Sequence, residues 1–483
     1  MSVYFKGSEN RNISGMHDWP SMEYQDHPVN VRRRVLAAAC IMAFISPAMG
    51  MMVSLALVSM GNDLNVGAHS MSLIVTTFFV TSVIFLVPAA RLSEICGKKK
   101  VVYVGLFIIV VFSLLASVSW DFASLLVFRS AMGIGTSFIL TASVSLLTDV
   151  YPPGNRGTAF GLSTMFVYLG ALTGPMLGGI LTDALGWRST FYIITPLALA
   201  AMLMLANFRE GAPASEGEPF DYKGSVVYGA SIALIMYGVF TLPSLTSAVL
   251  IAVGLSLLPV FVRIEKTEKF PALRLTMFSN KGYKSASVSL FLNYAAANSV
   301  VMMVSLYLQS VGALTASEAG MVMLIQPLFQ VLISPFAGRY SDRLDWRILP
   351  TAGMLAAFLG LLTLSTLDIG TPLFVVMIAL IFTGICHGLF GAPNTNVMMG
   401  LCRREESSAS ASVIAIMRQS GMMVALGIAM FMISIFMGST DNLVPSTYPE
   451  FVSASRYTFL VTAALALIGA VITWLYYPRR DRA

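Results

Sequence analysis

The chain has 483 residues, of which 56% are hydrophobic and only 11% charged, against about 25% charged in an ordinary soluble domain. A soluble fold has no interior large enough to hide that much apolar surface, so lipid is the main solvent. The net charge of +6 is spread over short loops beside apolar stretches, a placement that reads as membrane orientation and not as a nucleic-acid surface.

In chain order, the first thirty residues are polar and hold no cleavable signal, so residues 1–34 are expected to form a retained cytoplasmic tail. Charge-poor apolar blocks then predict helices near 35–59, 71–92, 101–120, 122–148, 157–182, 189–208 and 224–242. A second set is predicted near 247–263, 285–309, 318–338, 348–367, 371–395, 408–437 and 457–477. Such blocks suit a hydrocarbon core of roughly 30 Å, crossed by about 20 residues. Ser225 to Val262 carries no charge, yet as one helix it would be about 57 Å long. Leu242-Pro243-Ser244 is therefore read as a hairpin tip, which brings the expected count to fourteen.

The loop charges test that count, because a wrong number of helices would scramble which loops share a side. One side collects Arg32 to Arg34, Lys98 to Lys100, Arg156, Arg209, Lys223, the run from Arg263 to Lys284, Arg339, Arg343, Arg347, Arg403, Arg404 and the tail arginines Arg479, Arg480 and Arg482. The other side has only Arg188 and Arg456. The expectation is a multi-pass protein of the plasma membrane with both termini in the cytoplasm. Cys40, Cys96, Cys386 and Cys402 fall in spans or cytoplasmic loops, so no disulfide framework is implied.

Residues 90–99 (ARLSEICGKK) and 338–347 (GRYSDRLDWR) are alike in placing an acid among basic residues after the second and tenth helices. An offset of eight helices predicts a six-helix bundle at 35–208, an inserted helix pair within 209–284, a second bundle at 285–477 and a tail at 478–483. Parallel repeats of this kind are typical of transporters whose halves rock about a central site.

Four segments carry a family resemblance: Leu92 to Lys99, Arg129 to Gly135, Gly170 to Gly179 and Arg418 to Gly421. Through them the chain resembles the major facilitator superfamily, and within it the fourteen-span drug:proton antiporters. The resemblance implies an all-α membrane fold of two six-helix bundles plus an inserted hairpin, and efflux of small molecules by alternating access. It gives Gly170, Gly174, Pro175, Gly178 and Gly179 the role of an exporter motif that seals the interface between halves in one conformation. Read from spacing alone, the i, i+4, i+8 glycines are a face for close helix packing. The resemblance links Arg129 to proton transfer, the bland alternative being a structural arginine on backbone carbonyls, and gives Glu94, Gly97, Lys98 and Lys99 the closing of the inward side. Asp342, Arg343 and Gly338 are their counterparts in the repeat, and Arg418 is either a gating group or a packing anchor.

One departure concerns chemistry. The first span reads Met49 to Leu57 without the aspartate usual in such antiporters, and no Asp or Glu lies in the middle of any predicted span. A polyvalent cation would need a fixed counter-charge, so neutral, weakly basic or anionic amphiphiles fit better. His387 is the one mid-span group that ordinarily titrates near neutrality, with a packing role as its alternative. Tyr168, Asn293, Tyr294, Asn298, Gln326, Asn394 and Asn396 are the expected cavity residues, and the 30 methionines are either adaptable lining or lipid-facing filler. No HExxH, CxxC or P-loop is present, so no enzyme, metal or cofactor is expected. The expected partners are the bilayer, a small-molecule substrate and protons, with no nucleic acid, and the chain is expected to act as a monomer. An uncoupled facilitator or dedicated metabolite exporter is the alternative.

Overall fold

A computed structural model describes residues 28–479 except 65, 67, 153, 214, 241–243 and 439–444. The expected tail up to residue 27, the tip residues Leu242 and Pro243, and Arg480 and Arg482 lie outside the described residues. In chain order the helices are α1 (Val29–Leu64), α2 (Ala68–Ile84), α3 (Leu86–Cys96), α4 (Lys98–Ser117), α5 (Phe122–Val150), α6 (Arg156–Leu185), α7 (Ser189–Tyr192), α8 (Ile194–Leu205), α9 (Tyr222–Phe240) and α10 (Leu245–Thr267). They continue with α11 (Lys281–Ala297), α12 (Ser299–Leu306), α13 (Ala316–Met323), α14 (Ile325–Ser341), α15 (Ile348–Leu364), α16 (Leu373–Leu401), α17 (Ser407–Met437) and α18 (Tyr448–Tyr476). Among the described residues ten helical segments are long and apolar enough to cross a membrane, eleven if the bent pair α2–α3 is one span, against the fourteen expected. Ser189–Leu205 and Ile348–Leu364 are shorter apolar helices.

Local sequence explains where helices break. Pro88 has no N–H to offer Ile84 and its ring crowds that carbonyl, so α2 and α3 meet at 45°. Pro196 stands four residues after Tyr192 and Pro327 four after Met323, at the α7–α8 and α13–α14 breaks. Caps mark several starts. Asp121 with Ser124 and Thr315 with Glu318 form capping boxes for α5 and α13, and the Ser244 hydroxyl accepts from Ser247 N to begin α10.

Two sets of helices, α1–α8 and α11–α18, each pack internally, and α9–α10 form a pair whose α9 touches α2, α3 and α17. The Tyr228 hydroxyl on α9 donates to Val83 O, and the Ser231 hydroxyl donates to Gly254 O where α9 and α10 approach closely. Large apolar side chains such as Leu185, Leu203, Leu245 and Val226 point outward. That inverted surface suits lipid, where small residues and close packing, not burial of leucine, hold helices together.

The Tyr151 hydroxyl donates to Arg32 O and the Arg347 Nε to Tyr477 O. These bonds join the start of α1 to the end of α5 and the start of α15 to the end of α18, and the start of α6 meets the end of α14 beside them through Asp342; this is the terminal face. On the opposite face Arg188 pairs with Asp63, which also accepts from Trp187. Those two donors hold the Asp63 carboxyl below its ordinary range.

Candidate functional site

The two helix sets meet most tightly at the terminal face, through α6 and α14. Gly157 and Gly161 on α6 face Ser334 and Gly338 on α14, and the Ser334 hydroxyl donates to Gly161 O. A Cβ on Gly338 would lie 2.5 Å from Gly161 Cα, so only glycine permits this backbone approach. Just beyond it, the Asp342 carboxylate accepts from Gly157 N at 2.8 Å and Thr158 N at 3.0 Å. It thereby caps α6 of the other set, where free N–H groups and the helix dipole both favour an anion. Asn396 donates to Asp342 and to Ser341, which fixes the carboxylate. Arg343 is exposed, and its side chain has no partner among the described residues.

The repeat on the first set does not mirror this. Glu94, the counterpart of Asp342, is buried beside Arg91, with Arg274 Nε 3.9 Å away, and its Oε1 has no partner among the described residues. Arg91 itself reaches Glu218 at 2.9 Å and Pro219 O, and Ser215 N donates to Glu94 O. The segment leading into α9 thus wraps the Glu94 loop. In that segment Glu210 accepts from Lys98 N and Lys99 N, each at 2.8 Å, and caps α4, while burial holds its pKa above the usual value. Gly97, with φ of +96°, makes the turn between α3 and α4. Across the sets this loop reaches through Lys98: its Nζ lies 2.6 Å from Asp149 and 2.9 Å from the Ser407 hydroxyl. The Lys99 Nζ stays within its own set, on Ala206 O and Phe208 O.

Above Lys98 runs a seam of hydroxyls that the sequence reading missed. Thr141 meets Ser412 at 3.1 Å, the Ser408 hydroxyl donates to Ser145, and the Ser412 hydroxyl also reaches Leu86 O. The signal was present in the run Ser407-Ser408-Ala409-Ser410-Ala411-Ser412 and in the i, i+4 pairs Gly157/Gly161 and Ser334/Gly338.

At mid-depth four of the expected residues converge. The Tyr168 hydroxyl of α6 donates across the sets to His387 O at 3.1 Å. The Tyr294 ring of α11 lies edge to face with His387, 5.3 Å between centroids, and the Arg418 guanidinium of α17 sits 5.4 Å from the Tyr294 centroid. His387 Nδ1 lies 3.1 Å from Thr383 O, a packing bond that occupies one ring nitrogen. Gly421 lets α17 approach α11 so closely that a Cβ there would lie 2.5 Å from Phe291 O. Asn298, half-buried, follows one turn beyond Tyr294.

The other expected residues sit elsewhere. The Asn293 amide donates to Met354 Sδ and Cys386 Sγ inside the second set, and Gln326 is buried where its backbone meets Gly384. Asn394 accepts from the Tyr477 hydroxyl, and with Asn396 it belongs to the terminal face, not to a cavity. Polarity alone could not separate these asparagines from the mid-depth group, because helix depth and facing decide it. Gly170, Gly174 and Gly178 receive α1: added Cβ atoms would lie 2.5 Å from Phe44 O, 2.8 Å from Met51 Cβ and 2.5 Å from Met52 O. The glycine face therefore packs within the first set and not across the interface, while Pro175 and Gly179 are half-buried beside it. Arg129 is also internal to the first set. Its Nε donates to Ile74 O at 3.1 Å, its guanidinium lies 4.5 Å from the Phe78 centroid, and Nη1 and Nη2 have no partner among the described residues.

Comparison with known proteins agrees with this architecture. The riboflavin transporter RibZ of Clostridioides difficile is 24% identical over 454 residues, 93% of this chain and 98% of that one. The multidrug resistance protein Stp of Mycobacterium tuberculosis is 24% identical over 89% of this chain and 82% of its own. Among solved structures, the human organic anion transporter MFSD10 superposes with a TM-score of 0.65 at 14% identity, covering 92% of this chain and 100% of that one, a likeness of fold. With the Major Facilitator Superfamily model matched over residues 39–279 and 286–483, the chain belongs to that superfamily, a family of membrane transporters and not of enzymes.

Proposed function

We propose that this chain exports small amphiphilic molecules across the plasma membrane by alternating access, in exchange for protons. In this reading fourteen spans form two six-helix bundles, at 35–208 and 285–477, with an inserted pair within 209–284 and both termini in the cytoplasm. The carrying observation is the closed terminal face, where Gly157 and Gly161 meet Gly338, Asp342 caps α6 and Lys98 reaches Ser407. Contacts built from a few hydrogen bonds and glycine surfaces can separate and reform as halves rock. Distant relatives named for multidrug resistance support efflux, and a riboflavin transporter among them supports a planar, polar-edged substrate.

The test is flux in proteoliposomes with an imposed pH gradient. Adding substrate should release protons, and the rate should rise with the gradient. A flux indifferent to the gradient across a broad panel would favour the second reading, an uncoupled facilitator or dedicated metabolite exporter. Among the described residues no Asp or Glu lies in the middle of a helix, which favours that reading and leaves His387 as the mid-span group that could carry a proton.

A further inference from the structure

Arg418 is a permanently charged group held near the centre of the membrane. It stands about 17 Å along α17 from Ser407, roughly halfway through a hydrocarbon core of about 30 Å. Tyr168 and Tyr294 lie about 18 and 20 Å from the starts of α6 and α11, and His387 is the middle residue of α16, so the four groups share one depth. Among the described residues Arg418 makes no hydrogen bond and no ion pair, and its Nε is buried without a partner. Its guanidinium lies over the face of Tyr294, 5.4 Å from the ring centroid. No acid is available to neutralise it: the carboxylates of the described spans, Asp63, Glu94, Asp149, Asp183, Glu265, Glu318 and Glu450, all lie near helix ends.

A cation at this depth costs several kcal/mol unless it is hydrated or paired. The cation–π contact with Tyr294, 5.4 Å from the ring centroid, recovers only a part, about 0.5–2 kcal/mol. A guanidinium with donors unspent is suited to bidentate contact with a planar anion, because the fork itself is planar. The surrounding rings supply aromatic faces, and Tyr168 comes from the opposite helix set.

We infer that Arg418, framed by Tyr294, His387 and Tyr168, is the anion-recognition group of the transport site, and that the substrate is an aromatic molecule bearing a carboxylate or a similarly delocalised negative charge. The inference rests on the export reading above and narrows its substrate class. A bound anion pairs with Arg418 in the second set and stacks near Tyr168 in the first, so it is felt by both moving bodies. Cationic aromatics are excluded by the same charge.

The test is binding to the purified full-length chain in detergent, with fluorescein as the anionic probe and ethidium as a cationic aromatic. Fluorescence anisotropy should show fluorescein bound more tightly than ethidium. Arg418→Gln should weaken fluorescein by roughly tenfold or more, the scale of a lost charge-assisted hydrogen bond, and Arg418→Lys should recover part of it. Should Arg418→Gln fail to elute as a monodisperse species, the wild-type chain gives a second readout. Phenylglyoxal modification of Arg418, followed by peptide mass spectrometry, should be slowed by fluorescein and not by ethidium. Equal fluorescein affinity in a folded Arg418→Gln, preference for ethidium, or no protection of Arg418 would each overturn the assignment. Binding that passes while vesicles show no flux sinks the export reading alone, and cationic dye export that persists in Arg418→Gln sinks the anion site alone.

Discussion

Arg129 is fully buried, and two of its guanidinium nitrogens find no partner among the described residues. Its stacking on Phe78 and its bond to Ile74 O hold it in place without satisfying it. A residue kept at such a cost is a candidate for function. Replacing even a buried ion pair by apolar groups of similar volume is often neutral or stabilising by about 1–4 kcal/mol, and Arg129 has no ion pair among the described residues to lose. Arg129→Met should therefore raise the thermal unfolding midpoint in detergent while reducing uphill transport. A variant that loses stability, or keeps full transport, would show that Arg129 is only a packing group. Asp342 presents the opposite case, a carboxylate whose bonds are all made. Asp342→Ala leaves Gly157 N and Thr158 N without their acceptor, a loss of about 0.5–2 kcal/mol for a cap, which opens the terminal face by roughly two- to thirtyfold. With Cys96→Ser as background, the rate at which maleimide reaches Ser145→Cys should rise accordingly, and an unchanged rate would remove Asp342 from the latch.

At the scale of elements, α6 carries two glycine faces with different duties. Its early glycines, Gly157 and Gly161, meet α14 across the interface, and its later ones, Gly170, Gly174 and Gly178, receive α1 inside the first set. Gly178→Ala should then lower thermal stability by about 1–3 kcal/mol, since its Cβ would press on Met52 O, with no change in which face is open. Gly338→Leu should do the reverse. The closed face cannot form around it, so maleimide should label Ser145→Cys at least tenfold faster, while thermal stability falls less. Gly427→Leu, where a Cβ meets nothing within 4 Å, is the control for added bulk. The sequence made α6 legible as a small-residue helix, but it did not divide the glycines between partners.

For the whole molecule, motion requires contacts between sets to break while those within sets persist. Thr141 and Ser412 meet across the sets at 3.1 Å, and Thr351 and Thr473 meet within the second set at 2.8 Å. Oxidative cross-linking of Thr141→Cys with Ser412→Cys should stop transport, by at least tenfold, and reduction should restore it. Cross-linking Thr351→Cys with Thr473→Cys should leave the rate within about twofold. Equal effects from both pairs would rule out rigid halves. The segment before α9 and the Arg274 side chain behind it add an asymmetry, because they tie the Glu94 loop to the inserted pair through Ser215, Glu218 and Arg274, whereas Asp342 is tied to α6.

The sequence by itself determined that the chain is an all-helical membrane protein, and it led to the expectations of fourteen spans and of basic loops sharing a side. These follow from composition, from hydrophobic length and from charge placement, all properties of contiguous segments. It also singled out Tyr168, Tyr294, His387 and Arg418, because a polar or charged group inside an apolar run is conspicuous. Only the tertiary structure decided that these four meet at one depth, that Asn394 and Asn396 serve the terminal face, and that Gly170, Gly174 and Gly178 pack on α1. The physical reason is common to all three. Which neighbour a helix face meets depends on the rotation, bend and crossing of elements hundreds of residues apart, and hydropathy records burial in lipid or protein alike without telling them apart.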